Sequence, residues 1–197
     1  LELERSVAEK APDAPGELAD AVTALRLATS APVAAGPVLF ERLDWRPYGV
    51  RPVLPIAATA PAGEPTRLDP FRASVAQKLR PQLALADDDA KLGDALDRWE
   101  LALFQDDPFR REQLRHALDS ALGNGEGAWA AGMRAAALLG ETAHERASIM
   151  DAAREPSPDL VRRLLVAVLL HGDRRALLRE LDATLLGNER VAQLRAS

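Results

Sequence analysis

Residues able to do chemistry are few in this 197-residue chain: three histidines, no cysteine, and several acidic and arginine clusters. Glu141-Thr142-Ala143-His144 has the i, i+3 spacing by which carboxylate-bridged di-iron bundles turn two ligands into one cavity. Such a centre needs the pattern twice and two further glutamates, and no second copy exists. Glu141 is therefore expected to be a first-turn acid beside a helix dipole, with His144 at the surface or its boundary. Asp87-Asp88-Asp89 could hold a hard cation through oxygen. The run falls where a helix should begin, so capping and dipole compensation account for it without metal, Asp87 being the expected cap. Asp94, Asp97 and Glu100 follow with Lys91 and Arg98 interspersed, as on a solvated face.

Nucleophilic catalysis finds little footing. Without cysteine a serine would have to serve, and Ser30, Ser74, Ser120, Ser148, Ser157 and Ser197 occupy no Gly-x-Ser-x-Gly elbow. Gly123-Asn124-Gly125-Glu126-Gly127 lacks the lysine and the preceding strand of a phosphate loop and reads as a turn. No catalytic residue, metal ligand set or cofactor is expected.

The segment Phe40 to Pro52 is chemically richer, with Phe40, Trp45 and Tyr48 beside Arg42, Arg46 and Arg51. Arginine and large aromatics concentrate binding energy at interfaces. Phe40, Trp45, Arg46, Tyr48 and Arg51 are accordingly the candidate residues for a protein or peptide partner. In the plainer reading the same aromatics plug a groove of the helical body. Arg162-Arg163, Arg174-Arg175 and Arg179 could form a phosphate-binding face, but Asp159, Asp173, Glu180 and Asp182 stand near enough in sequence to neutralise them.

The elements that must position these groups read as helices. Glu17 to Ala28 carries Leu18, Ala21, Val22 and Leu25 at i, i+3, i+4 and i+7, after a turn-like Pro12 to Gly16. From Pro32 to Pro70 prolines remove donors and disfavour helix, leaving an extended strap with room only for a short helical turn or strand near Val38 to Leu43. Asp69-Pro70-Phe71-Arg72 restarts a helix that should stop near Arg80, before Pro81. Asp107-Pro108-Phe109-Arg110 repeats those four residues 38 positions later, either as a duplicated helix pair or as capping grammar used twice. Further helices are expected over 129–139, 142–154, 158–170, 174–186 and 189–194.

Leucine-rich runs ending in Gly123, Gly140, Gly172 and Gly187, 17, 32 and 15 residues apart, punctuate this region. Glycine past a helix end relieves left-handed strain there. Short connections make consecutive helices antiparallel neighbours, so the fold class is all-α: a helical bundle or a solenoid-like array of αα-hairpins, with the proline-rich strap at about 30–70. A single helical domain over 1–197 is expected, comprising an N-terminal helix (1–31), the strap (32–70) and a helical body (71–197). The start at Leu1 suggests a piece of a longer protein.

Composition sets the outer bounds. Alanine and leucine dominate the 47% apolar residues and only eight are aromatic, which favours close-packed helices. Arginine supplies nearly all positive charge, a pattern of GC-rich bacterial genes. A net charge of −5 gives no global attraction to nucleic acid or anionic membrane. Neither is an expected partner, a cytoplasmic location is, and oligomeric state stays open. The leading functional expectation is a non-catalytic helical protein–protein interaction or scaffolding module. Behind it stand an enzyme or small-ligand domain with a pocket between strap and helices, and then a nucleic-acid-linked regulator.

Overall fold

The computed structural model describes residues 13–43, 46–86 and 88–187, without the side chains of 41–43, 46–48 and 85. Trp45, Asp87 and the helix expected over 189–194 lie outside the described residues, as do the side chains of Arg46 and Tyr48. Within them are nine helices, packed as antiparallel pairs, and one small two-stranded hairpin. The all-α expectation holds, with the hairpin as its one departure. Contacts divide the chain between Arg80 and Pro81 into two compact units.

In the first unit, α1 (Ala14–Thr29) begins earlier than the turn-like Pro12 to Gly16 suggests. Asp13 is its N-cap, accepting from the Gly16 N–H at 3.4 Å, and Pro15 falls in the first turn, where a missing N–H costs nothing. The helix ends at Ser30, which takes the left-handed conformation at φ 57. The strap is more ordered than an extended run: β1 (Val38–Leu43) pairs antiparallel with β2 (Arg46–Pro52), and a single turn, α2 (Pro55–Ala58), follows. Val22 of α1 meets Val53 and Ala57, with Leu18, Val33 and Leu39 around them.

Arg26 fastens this strap. Its buried guanidinium donates from Nε to the carbonyl of Val33 at 2.9 Å, and from Nη2 to those of Ile56 at 2.9 Å and Thr59 at 2.8 Å. A proline-rich run has more carbonyls than N–H groups, and a five-donor guanidinium makes up part of the deficit.

The helix α3 (Pro70–Ala86) starts as expected, with Asp69 accepting from the Arg72 N–H at 2.8 Å and pairing with the Arg72 side chain at 2.6 Å. It does not stop at Arg80 but continues through Pro81. Proline there deprives the Gln77 carbonyl of its i+4 donor, and Gln77 is exposed, so water can replace it.

The second unit begins with the end of α3, from Pro81, and contains α4 (Ala90–Ala102), α5 (Phe109–Leu122), α6 (Ala128–Leu139), α7 (Ala143–Ala152), α8 (Pro158–His171) and α9 (Arg174–Leu185). Asp89 caps α4, accepting from the N–H groups of Lys91 and Leu92 at 3.0 and 3.3 Å, a role the sequence assigned to Asp87. The second Asp-Pro-Phe-Arg does not copy the first. Here Pro108 stands at the N-cap with no side-chain cap bond, and Asp107 pairs instead with Arg111 at 3.2 Å. Apolar α8 packs against α4, α5, α6 and α9, burying Leu164, Leu165 and Leu169, while Trp99 donates to the Pro158 carbonyl at 3.0 Å. A linear stack would keep α4 and α8 apart, so this unit closes around α8 as a bundle.

The glycines end helices for two different reasons. Gly172 takes φ +83 at the end of α8, the left-handed cap expected of it. Gly123 and Gly140 have ordinary negative φ. There a Cβ would collide with the Asp119 carbonyl, or with Ala136 and Arg146, so closeness of approach selects glycine. No described helix is long and apolar enough to cross a membrane.

Candidate functional site

The strands of the hairpin fix what each face presents. Residues directly opposite in an antiparallel pair share a face, and successive residues alternate. The register sets Val38 opposite Pro52, Phe40 opposite Val50 and Leu39 opposite Arg51, with an irregularity between Glu41 and Arg42. Leu39 turns to the Val22, Val53 and Ala57 cluster. The other face is apolar and open: Phe40 is 73% exposed, Val50 60% and Val38 41%.

This geometry separates two of the candidate residues. Phe40 stands on the open face, and Arg51 on the face shared with Leu39. Arg46 and Tyr48 contribute backbone to β2. The apolar face also includes Val38 and Val50, which are neither aromatic nor charged. Their signal was the alternation Val38-x-Phe40 and the β-branched Val50, legible only once a strand pairing was assumed.

In the second unit the most heavily bonded charges gather at the C-terminus of α5. Arg174 donates from Nε to the carbonyls of Ser120 at 3.1 Å and Ala121 at 2.9 Å, and from Nη2 to that of Gly123 at 2.9 Å. Arg134 donates to the Leu122 carbonyl at 2.9 Å. It also forks onto Glu126, at 3.0 and 3.0 Å, and onto Asp182, at 2.7 and 3.0 Å. Two buried guanidinium groups thus satisfy carbonyls that a helix end leaves bare, where the dipole favours positive charge. Hydrogen bonds from Arg134 hold the Glu126 carboxyl down at about 2. The same bonds raise the Arg134 pKa, whereas burial lowers that of Arg174, whose nearest carboxylate is Asp89 at 3.6 Å.

Beside Arg174 lies a cavity of about 280 Å³ between the end of α3, the start of α4 and the α8–α9 turn. Gln82, Asp88, Asp173 and Arg175 line it with Leu92 and Val168. Two of its three acids have structural tasks: Asp89 caps α4, and Asp173 caps α9, accepting from Ala176 at 2.9 Å, a bond that lowers the Asp173 pKa. None of the lining comes from the strap.

The remaining candidates are dispersed. Glu141 and His144 are both exposed, and Glu145, not Glu141, completes a capping box with Thr142. His171 lies 3.2 Å from Glu180, and His116 3.9 Å from Glu112. Of the C-terminal arginines, Arg162 is paired with Asp159 at 2.7 Å and Arg174 is buried, leaving Arg163, Arg175 and Arg179 exposed. Asp94 accepts from Ser120 at 2.5 Å and from Arg98 at 2.9 Å. Burial pushes the Asp94 carboxyl up, and these two bonds outweigh it, holding the pKa below its usual value. Comparison with protein-family models, curated proteins and solved structures finds no match.

Proposed function

We propose that this chain is a non-catalytic helical interaction module that binds a protein or peptide partner through the open face of the β1–β2 hairpin. The observation that carries the reading is the exposure of Phe40, Val50 and Val38 together on one face. Contiguous apolar surface of this kind marks interaction sites, and burying such side chains yields about 1.5–3 kcal/mol each. Arg26 and the Val22 cluster support the other face, so the binding surface stands on a fixed base. The helices serve as scaffold.

Affinity purification of the tagged chain, with co-purifying proteins quantified against Phe40→Ser and Val50→Ser, tests this. A specific set lost with both substitutions and kept with Trp129→Ser supports the hairpin, since Trp129 is 70% exposed but lies on α6. Retention of the same set by all three variants refutes it. A small-ligand reading draws on one observation, the cavity beside Arg174. Saturable thermal stabilisation by a small molecule, lost in Arg175→Ala, would favour that reading.

A further inference from the structure

We infer that the outer edge of β1 receives an extended segment of the partner as a third strand; this rests on the hairpin being the binding site. The Val53 N–H donates to the Pro37 carbonyl at 3.1 Å, just beyond the Val38–Pro52 pair. Antiparallel ladders alternate bonded and non-bonded pairs. Residues 39 and 51 therefore exchange hydrogen bonds, while 38 with 52 and 40 with 50 do not. The N–H and C=O groups of Val38 and Phe40 consequently point away from β2. Among the described residues no third strand meets them, and no backbone hydrogen bond outside the hairpin involves either residue.

The two edges are not equivalent. On β2 the outward position opposite Val38 is Pro52, which has no N–H, and Pro47 removes another donor. Proline is a usual guard of an edge strand. β1 contains no proline. The unguarded edge also adjoins the apolar face, because Val38 and Phe40 supply both the outward backbone groups and the exposed side chains. An incoming strand would satisfy the first and, with alternate apolar side chains, cover the second.

Size favours a peptide over a second copy. Residues 38–52 carry Arg42, Arg46 and Arg51 against Glu41 and Asp44, a net +1 in a chain of net −5. β1 itself is neutral, with Glu41 against Arg42, and Arg46 and Arg51 come from β2, so a neutral or acidic segment complements the hairpin. Six residues also extend only about 20 Å. Such a strip is small beside the roughly 800 Å² per partner of a stable protein interface, but it suits a peptide held by main-chain bonds.

The test uses a fluorescein-labelled octapeptide of alternating valine and glutamate, and the same peptide N-methylated along one edge or the other. Saturable binding to the full chain is expected, weakened about tenfold by methylation of one edge only, as two lost main-chain bonds require. Val38→Pro, which removes one donor and sets a ring against the incoming strand, should weaken it by at least about fivefold, with Val38→Ala, which keeps the N–H, within about twofold. The methylated peptides leave the protein untouched, so the result does not hang on Val38→Pro folding. Absence of saturable binding up to millimolar peptide overturns strand addition, as does indifference to methylation of either edge. A dimer by light scattering that Val38→Pro abolishes also overturns it, in favour of a second copy. If the edge arms fail while Phe40→Ser still loses co-purified partners, the hairpin face stands and strand addition falls. If Phe40→Ser has no effect either, both fall.

Discussion

Arg134→Met should destabilise the chain by about 2–4 kcal/mol, because it strips a buried, fully bonded charge from the junction of α5, α6 and α9. Arg134 is 4% exposed and makes five hydrogen bonds. Methionine fills much of the volume and donates nothing. The Leu122 carbonyl then loses a donor in a buried place, at about 1–3 kcal/mol. Removing one partner of a fully buried ion pair costs roughly 3–5 kcal/mol. Here the side chains of Glu126 and Asp182 are 44% and 41% exposed, so water recovers part of that loss. At about 2–4 °C per kcal/mol for a chain of this size, thermal unfolding followed by circular dichroism should shift down by about 5–15 °C.

The pH dependence supplies a second readout. Glu126 is held at about 2 in the fold against an ordinary 4.5, so the unfolded chain takes up its proton first on acidification. Its contribution is complete above pH 4.5 and lost as pH falls through about 2. Arg134→Met should flatten this part of the acid limb, and Arg134→Lys, which keeps the charge without the fork, should fall between. A shift below about 2 °C at neutral pH, or an unchanged acid limb, would refute the reasoning.

Arg26→Met removes the donors that fasten Val33, Ile56 and Thr59; amide exchange over 31–60 should accelerate, with a loss of about 2–4 kcal/mol. Gly123→Ala should cost more than Gly125→Ala in denaturant midpoints. The first drives a Cβ into Asp119, while the second, at φ +93 in open space, meets only the left-handed penalty of about 1–2 kcal/mol. Ser120→Ala should raise the Asp94 pKa, measurable by NMR titration, and cost about 1 kcal/mol near neutral pH. Because Asp94 is depressed in the fold, the stability it provides is present at neutral pH and lost on acidification, and the variant should show less of that loss.

The helices were legible because their signals are local. Ser157-Pro158 and Asp69-Pro70 start α8 and α3 where the sequence places them, since cap and first turn are neighbours in the chain. The same logic misjudges Asp107-Pro108, where an identical tetrapeptide adopts another arrangement as Asp107 turns to Arg111. It also stops α3 at Pro81, although one lost donor on an exposed helix face is replaceable by water. Of the candidate site, the sequence singled out the segment and Phe40 but not the division of its faces. Val38 and Val50 emerge from cross-strand pairing, which no single-strand pattern specifies.

By itself the sequence determined a mostly helical chain, where most helices start and stop, and that 32–70 breaks the helical grammar. Only tertiary structure decided which charges became internal. Arg26, Arg134 and Arg174 read in sequence as ordinary basic residues, yet their bonding partners lie up to 33, 48 and 54 residues away. Periodicity reports which side of a helix is apolar. Whether a guanidinium points to water or to the bare carbonyls of another element depends on where that element ends. The hairpin follows the same rule: alternation along β1 defines two faces, and the Val22, Val53 and Ala57 cluster covers that of Leu39, leaving Phe40 outside.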